Sequence, residues 1–290
     1  MPEGNTIHRF ARSHTRDFGG RIVRVSSPQG RFAAEAKRLD RGRFVRAEAY
    51  GKHLFHFWEG GLIVHVHLGM AGWFYRHRGR APEPKPSVRM RLSTRGVTVD
   101  LIGPPTCELL SSPEEVQAVL DRLGPDPLRP DADPQRVWAE LRRRRRPIGD
   151  ALLDQRVISG VGNIYRNEAL FLSGIHPLRR SDRLAEDEWH ELWTTTARLM
   201  RRGLRPGSIA TVDPRERPFP SARPGGGRAA RPGRASKDAF YVYQEEVCRR
   251  CGRALREFPL SGRRMWVCRS CQPYRRSGSA AGTRLANPSM

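Results

Sequence analysis

The sequence predicts an α+β multidomain protein with an N-terminal antiparallel β-sandwich domain, a helical domain and a C-terminal four-cysteine hairpin. Short segments rich in Val, Ile, Phe and Trp alternate with turn residues from Arg21 to Gly103, a pattern typical of antiparallel strands. After Asp126 the apolar residues recur at helical spacing. Two Cys-x-x-Cys pairs near the C-terminus indicate a small module held together by a metal.

A first helix is predicted over residues 5–18, because apolar residues recur there at helical spacing and two glycines follow. The chain before it reads Met-Pro-Glu-Gly, so removal of the methionine would leave Pro2 as a free secondary amine beside Glu3. An α-amino group has a pKa of about 7.7–8.0, and the positive end of a helix dipole disfavours its protonated form. Such an amine can attack a sugar carbon and form an iminium ion, an electron sink for later elimination. The alternative is that Pro2 is simply a common second residue.

Seven short strands are predicted in the next part of the chain. The turns at residues 59–61 and 94–96 indicate hairpins between neighbouring strands, and the pattern favours an antiparallel sandwich or barrel. The predicted strands are residues 22–25, 44–50, 54–58, 62–67, 73–76, 88–93 and 97–102.

Four helices are predicted at residues 137–146, 150–157, 163–172 and 182–202. The segment 213–236 is rich in Pro, Gly, Arg and Ala and has too few apolar residues to fold alone, so we expect a linker or mobile loop. The predicted units are a β-sandwich domain with its N-terminal helix (1–125), a helical domain (126–212), a flexible linker (213–238), the cysteine module (239–272) and a disordered tail (273–290).

The charge of the chain points to a polyanionic partner. The formal net charge is +23, from 53 basic and 30 acidic residues, and phosphates would offset this self-repulsion, so nucleic acid is the default candidate. A GC-rich coding bias explains why arginine outnumbers lysine, but it does not explain the excess of basic residues. No apolar run approaches the roughly 20 residues of a membrane span, and no secretory signal precedes the first helix. We therefore expect a soluble cytoplasmic protein with no membrane partner.

The two cysteine pairs are separated by 16 residues, a spacing typical of a four-cysteine zinc site. We predict one structural zinc ion; a pair of disulfides is the alternative, which an intracellular location disfavours. The fifth cysteine, Cys107, is predicted to be a small buried hydrophobic residue and not a nucleophile. The hairpin is too small to be an active site alone, and we expect it to present Arg263 or Arg264 to a phosphate. The predicted zinc ligands are Cys248, Cys251, Cys268 and Cys271.

Two turns are candidate phosphate sites. The sequence Ser-Gly-Val-Gly-Asn at 159–163 lies between two predicted helices, where exposed amides could hold a phosphate and Asn163 would cap the next helix. A purely structural connection is the alternative. Lys52 lies in the Gly-Lys-His turn between two predicted strands, a rigid place from which to aim a charge. An ordinary solvated lysine is the alternative there.

Met70 lies in the glycine-flanked segment 67–72, where an apolar side chain is not expected to be exposed. Ordinary core packing is the commoner outcome. The alternative is a wedge that fills the space left in DNA when a base is extruded from the stack.

Together these motifs resemble the formamidopyrimidine-DNA glycosylase and endonuclease VIII family. The resemblance rests on the Met-Pro-Glu-Gly start, the Gly-Lys-His turn at 51–53, the His-Leu-Gly-Met loop at 67–70, the Gly-Asn pair at 162–163 and the cysteine hairpin, and it covers nearly the whole chain in the right order. It implies that a β-sandwich domain and a helix-two-turn-helix domain with a zinc finger clamp damaged DNA, with the scissile site between them.

The resemblance also implies roles for individual residues. Pro2 would be the nucleophile and Glu3 the acid/base, while Lys52, Asn163 and Arg263 would contact phosphates. Arg264, the neighbour of Arg263, is the alternative phosphate contact on the hairpin. Met70 is the candidate wedge. Two segments depart from the usual family pattern: the Pro/Gly/Arg-rich stretch at 213–236, where relatives carry a damage-recognition loop, and the acidic approach to the first cysteine at 242–248.

The expected function is that of a bifunctional DNA glycosylase and abasic-site lyase of base excision repair. It would remove oxidised bases from double- or single-stranded DNA and cleave the strand by β,δ-elimination, as a monomer associated with the nucleoid. The N-terminal sequence is more similar to the endonuclease VIII branch, so oxidised pyrimidines are the favoured substrates. The alternatives are a glycosylase for 8-oxoguanine and formamidopyrimidines, or a zinc-ribbon DNA-binding protein without catalysis.

Overall fold

The computed structural model describes residues 2–205, 209–216, 219–220 and 239–274. Its first helix, α1 (Gly4–Phe18), leads into the antiparallel strands of the N-terminal domain, which also contains α2 (Ala33–Leu39) and α3 (Pro113–Leu120). The strands are β1 (Ile22–Ser26), β2 (Gly42–Tyr50), β3 (His53–Trp58), β4 (Ile63–His67), β5 (Trp73–Arg78), β6 (Val88–Thr94), β7 (Val97–Ile102) and β8 (Thr106–Leu110).

These strands form two layers around one core. One layer has the order β5-β7-β6-β1 and the other the order β2-β3-β4-β8, and the layers are joined by a short pairing of β1 with β2. Both layers contribute to a single apolar cluster that includes Phe44, Trp58, Phe74 and Leu101, and α1 adds Phe18 to it. The predicted antiparallel sandwich is therefore confirmed.

The second domain is helical, and the cysteine hairpin packs onto it. Tyr165 and Trp189 are fully buried in its core, and Met265 of the hairpin belongs to the same apolar cluster. The hairpin thus shares a core with the helices, although the sequence suggested a separate unit. The elements are α4 (Pro134–Arg142), α5 (Ile148–Ala151), α6 (Asn163–Leu172), α7 (Glu186–Arg202), β9 (Arg256–Leu260) and β10 (Arg263–Val267).

The acidic segment 242–248, which leads to the first cysteine, is attached to α6 through a buried carboxylate. Glu168 is fully buried, and its oxygens accept hydrogen bonds from the amides of Tyr241 (2.9 Å), Val242 (2.9 Å) and Tyr243 (2.8 Å) and from the hydroxyl of Thr211. Several donors offset the cost of burying a charged group. The segment that departs from the family pattern is therefore held at a defined place on the helical domain.

Element boundaries differ from the prediction in a few places. The helix predicted at 137–146 ends at Arg142. Beyond it Arg144 and Arg146 bind Asp154, and Arg146 precedes a proline, which disfavours helical geometry at that residue. The helix predicted at 150–157 is wrong for most of its length, because α5 ends at Ala151 and the chain continues in turns. The elements α2, β8 and α3 were not predicted; they are short, and neither α2 nor α3 carries a wide apolar face.

Most of the predicted linker at 213–238 and most of the predicted tail at 273–290 lie outside the described residues. Within the described part of the chain, no helix combines the length and apolar character needed to cross a bilayer.

Candidate functional site

Glu3 lies at the contact between the two domains, immediately before α1. Its fully buried carboxylate accepts hydrogen bonds from three amides of the other domain: Oε1 from Ile164 (2.7 Å), and Oε2 from Gly162 (2.9 Å) and Tyr165 (3.3 Å). These amides belong to the start of α6, where N–H groups lack partners within the helix. Glu3 therefore caps α6 from the other domain and places the buried Pro2 at the domain contact.

The close approach of Glu3 to α6 requires the glycine at position 162. A β-carbon on Gly162 would lie 2.5 Å from Cδ of Glu3, so any side chain there would displace the carboxylate. Two expectations about the 159–163 turn are corrected by this geometry. Gly162 is the residue that precedes the helix and Asn163 is its first residue. The amides at the start of α6 bind Glu3, so they do not face a phosphate.

The environment of Glu3 suits a proton-transfer role. Burial raises the pKa of Glu3 above its ordinary value, while the Lys52 ammonium and the three amides act in the opposite direction. A carboxyl whose pKa is raised by burial can hold a proton closer to neutral pH than an exposed one. Such a group can donate and accept a proton within one reaction.

Lys52 lies in the turn between β2 and β3 and points at the helical domain. Its Nζ donates a hydrogen bond to the carbonyl of Val161 (2.7 Å). Burial lowers the pKa of Lys52 to about 8; the Glu3 carboxylate opposes this shift, and the charges of Arg263 and Arg166 add to it. Glu3, Lys52 and Arg263, which are far apart in the sequence, thus interact electrostatically in the folded chain.

The side chain of Asn163 is held by groups of the helical domain and the hairpin. Its Nδ2 donates to the carbonyl of Arg264 (3.1 Å), and its Oδ1 accepts a hydrogen bond from the guanidinium of Arg166. Arg166 is fully buried and also donates to the carbonyl of Gly149 (3.1 Å). The sequence did not single out Arg166, although it lies three positions after Asn163 on the same helix face.

The two hairpin arginines point in different directions. Arg263 is partly buried, and its charge helps to lower the pKa of Lys52. The Arg264 side chain is 73% exposed and forms an ion pair with Glu257 (3.1 Å) on the neighbouring strand. Arg263 is therefore the hairpin arginine whose charge acts on Lys52.

Two other residues singled out by the sequence differ in their exposure. Met70 is 63% exposed in the loop between β4 and β5, so the core-packing alternative does not apply to it. Cys107 is half-buried on β8, against the core of the sandwich. Burial raises the pKa of the Cys107 thiol to about 12, which disfavours the nucleophilic thiolate.

The four remaining cysteines converge next to the hairpin. Their sulfur atoms all lie within 4.8 Å of one another, and the Sγ atoms of Cys251 and Cys268 are 3.5 Å apart, those of Cys248 and Cys271 3.8 Å apart. A tetrahedral ion with metal–sulfur distances of about 2.3 Å requires sulfur–sulfur distances of about 3.8 Å. This cluster can therefore hold one metal ion.

Comparisons with known proteins agree with this arrangement. Residues 1–103 match the family described as the formamidopyrimidine-DNA glycosylase N-terminal domain, and residues 123–213 match the formamidopyrimidine-DNA glycosylase H2TH domain. The chain is 46% identical to endonuclease 8 1 of Mycobacterium tuberculosis over 279 residues, which cover 94% of this chain and 100% of that protein. It is 33% identical to the formamidopyrimidine-DNA glycosylase of Thermomicrobium roseum, over 82% of this chain and 84% of the relative.

Solved structures give the same result for the fold. The MutM (Fpg) protein of Thermus thermophilus aligns with a TM-score of 0.72 at 27% identity, over 93% of this chain and 98% of that one. The Lactococcus lactis Fpg in complex with DNA containing N7-benzyl-Fapy-dG aligns with a TM-score of 0.74 at 22% identity, over 94% and 100% of the two chains. On its domain matches, its sequence identity and its fold, the chain belongs to the formamidopyrimidine-DNA glycosylase and endonuclease VIII family.

Proposed function

We propose that this protein is a bifunctional DNA glycosylase and abasic-site lyase of base excision repair that uses Pro2 as its nucleophile. One observation carries the proposal: Glu3, the residue after Pro2, is buried at the domain contact, where its carboxylate binds the Gly162 amide and Lys52 donates to the adjacent carbonyl of Val161. The charge of Arg263 acts on Lys52 at the same contact. A secondary amine, a proton-transferring carboxyl and two phosphate-binding cations are the groups that this reaction requires. Membership of the family supports the same activity.

The reaction starts when the damaged nucleotide leaves the DNA stack, at a cost of a few kcal/mol that is lower for a weakly paired lesion. The nitrogen of Pro2, freed by removal of Met1, attacks C1′ as the bond to the base breaks. The sugar ring opens and an iminium ion forms between Pro2 and C1′. The iminium acidifies C2′, whose proton is lost as the 3′ phosphate leaves, and a second elimination releases the 5′ phosphate.

Glu3 supplies and accepts the protons of this sequence. It donates a proton to the sugar ring oxygen as the ring opens, and the resulting carboxylate stabilises the iminium nearby. Its raised pKa, caused by burial, supports the first step. The Lys52 ammonium and the α6 amides support the second, because they favour the ionised carboxylate that remains after the proton is donated. The proton that Glu3 later accepts restores the acid for the next turnover.

Lys52, Asn163 and Arg263 are the proposed phosphate contacts. Lys52 and Arg263 carry charge on opposite sides of the domain contact, and Asn163 keeps one amide hydrogen in addition to the one that binds the Arg264 carbonyl. The net charge of +23 favours a polyanion. The proposed partner is damaged DNA, double- or single-stranded, and the proposed setting is a monomer acting on the nucleoid in the cytoplasm.

Oxidised pyrimidines are the proposed substrates. Support comes from the higher identity to an endonuclease 8 (46%) than to a formamidopyrimidine-DNA glycosylase (33%). The similarity to a formamidopyrimidine-DNA glycosylase supports the alternative substrates, 8-oxoguanine and formamidopyrimidines. Single-turnover excision from duplexes that each carry one lesion distinguishes the two: a faster rate on thymine glycol supports the proposal, and a faster rate on 8-oxoguanine supports the alternative.

Zinc is the proposed occupant of the cysteine cluster. Four thiolates at tetrahedral spacing form a closed structural site with no open position for substrate. Cys248, Cys251, Cys268 and Cys271 would hold the ion and close the hairpin that carries Arg263. The ion would have no part in the proton or electron transfers at Pro2.

Borohydride trapping tests the nucleophile. Reduction of the iminium should link the mature protein covalently to DNA that contains an abasic site. Pro2→Gly, or an N-terminal tag that is not removed, should abolish or greatly reduce this product. Full trapping by a protein with a blocked N-terminus would remove Pro2 from the mechanism and leave the non-catalytic zinc-ribbon alternative or another amine.

Elemental analysis tests the metal. The folded protein should contain one zinc per chain, and Cys268→Ser should lose it together with DNA affinity, because metal binding and folding of such a hairpin are coupled. Cys107→Ser is the matched control and should keep its zinc. A zinc-free wild-type protein, or a Cys268→Ser protein with undiminished affinity, would contradict the assignment.

Salt dependence of binding tests the phosphate contacts. Arg263→Ala should weaken binding to damaged and undamaged DNA alike and reduce the slope of log affinity against log salt by roughly one unit. Asn163→Ala should weaken binding with little change in slope, since it carries no charge. Arg264→Ala is the matched control because its side chain is paired with Glu257. An equal change of slope for Arg264→Ala would refute the choice of Arg263.

Comparison of paired and single-stranded substrates tests Met70. If this exposed side chain is the wedge, Met70→Ala should slow excision of a paired lesion far more than excision from a single strand, where no stack is broken. Little change in thermal stability is expected, since the side chain is 63% exposed. Equal losses on the two substrates would leave the wedge to another residue.

A further inference from the structure

The segment that joins the two domains contains a buried carboxylate that the proposed chemistry does not use. Asp126 is 1% exposed. Its Oδ2 accepts hydrogen bonds from the amide of Gly51 (2.8 Å) and from Nε2 of His8 (2.7 Å), and its Oδ1 accepts one from the amide of Leu128 (2.9 Å). Because a carboxylate only accepts, the His8 proton must lie on Nε2. One side chain thus joins α1, the turn between β2 and β3, and the interdomain segment.

The Gly51 amide connects Asp126 to the candidate site, because Gly51 immediately precedes Lys52. Gly51 has a φ of +56°, and a β-carbon there would lie 2.8 Å from Cβ of Ser159 and 3.0 Å from the nitrogen of Gly160. The turn therefore packs with bare backbone against the helical domain. The next residue, Lys52, donates to the carbonyl of Val161, so the placement of this turn decides where its ammonium lies.

The same segment holds the helical domain from the other side. The carbonyl of Pro125 accepts from the amide of Ser159 (3.0 Å), and the amide of Gly124 donates to the carbonyl of Gln155 (2.8 Å). The Gln155 side chain in turn donates to the Val161 carbonyl (3.0 Å). Residues 124–126 therefore fix both Lys52, which carries the ammonium, and the Val161 carbonyl that accepts its hydrogen bond.

A local turn would account for only part of this geometry. The bond from Leu128 to Oδ1 is the common contact of an aspartate with the backbone two residues later. The two bonds to Oδ2 come from residues 75 and 118 positions away. Burial of a carboxylate is costly unless it is fully hydrogen-bonded, and an uncharged turn residue would avoid that cost.

We propose that Asp126 is a positioning residue that, through the Gly51 amide, holds the Lys52 ammonium at the domain contact beside Glu3. His8 fixes the second lone pair of the same oxygen and so sets the orientation of the carboxylate. This inference rests on the proposed role of Lys52. It predicts that Asp126 affects the reaction only while Lys52 is present.

A double-mutant cycle tests the inference. Asp126→Asn is isosteric but replaces one accepting oxygen with a donating amide. A replaced Oδ2 leaves the Gly51 amide and His8 Nε2 without an acceptor, and a replaced Oδ1 leaves the Leu128 amide without one. The substitution should slow single-turnover excision and weaken binding to DNA with a tetrahydrofuran abasic analogue, together by about 10- to 100-fold, a loss typical of small displacements of a reacting group. In the Lys52→Ala background the same change should cost less than about twofold.

The control is Asp133→Ala, which removes an aspartate of the same region that caps α4 and does not touch Lys52. It should leave the excision rate unchanged. The salt dependence of binding gives a second readout, since Asp126→Asn should lose about one unit of slope, the same loss that is expected for Lys52→Ala. If Asp126→Asn proves poorly folded, His8→Gln gives the same cycle with one bond removed.

Three results would overturn the inference. One is an equal loss from Asp126→Asn in both backgrounds, which would mean that it acts independently of Lys52. Another is an unchanged salt slope in a slowed Asp126→Asn protein. The third is normal excision by Lys52→Ala, which would mean that the position of the Lys52 ammonium does not matter for the reaction. The proposed function fails separately, since it requires that the wild-type protein excise and be trapped in the same assay.

Discussion

The contact between the Glu3 carboxylate and the first turn of α6 is the interaction on which the rest of the site depends. It satisfies amides that a helix cannot satisfy itself, and it places a negative charge at the positive end of the helix dipole. Because Glu3 immediately precedes α1, the same bonds bring Pro2 to the boundary between the domains. The proposed active site is therefore assembled by the capping of a helix in one domain by the N-terminus of the other.

This arrangement explains why so much charge is buried in a small volume. Glu3 interacts electrostatically with Lys52 and Arg166, and the charge of Arg263 acts on both of these cations. Burial lowers the pKa of Arg166 to about 10, which still leaves it charged at neutral pH. The excess of positive charge around one carboxylate matches a site that receives phosphates, since binding of an anion would complete the compensation.

Much of this could be predicted from the sequence, and the remainder depends on contacts between distant residues. The α1 and α6 helices and the strands of the sandwich follow from apolar spacing and turn residues, and the cysteine cluster follows from spacing alone. Short elements such as α2 and β8 carry too little pattern to be recognised. The use of the α6 amides by Glu3, and the choice of Arg263 over Arg264, depend on side chains that only the folded chain brings together.

Amide hydrogen exchange in the absence of DNA tests the central contact most directly. In the wild-type protein the amides of Gly162, Ile164 and Tyr165 should be protected, because each donates to the buried Glu3 carboxylate. In Glu3→Ala these three should exchange much faster, while the amide of Leu170, inside α6, keeps its protection. Unchanged protection of all three amides in Glu3→Ala would contradict the account, because the first turn of α6 would then not depend on Glu3.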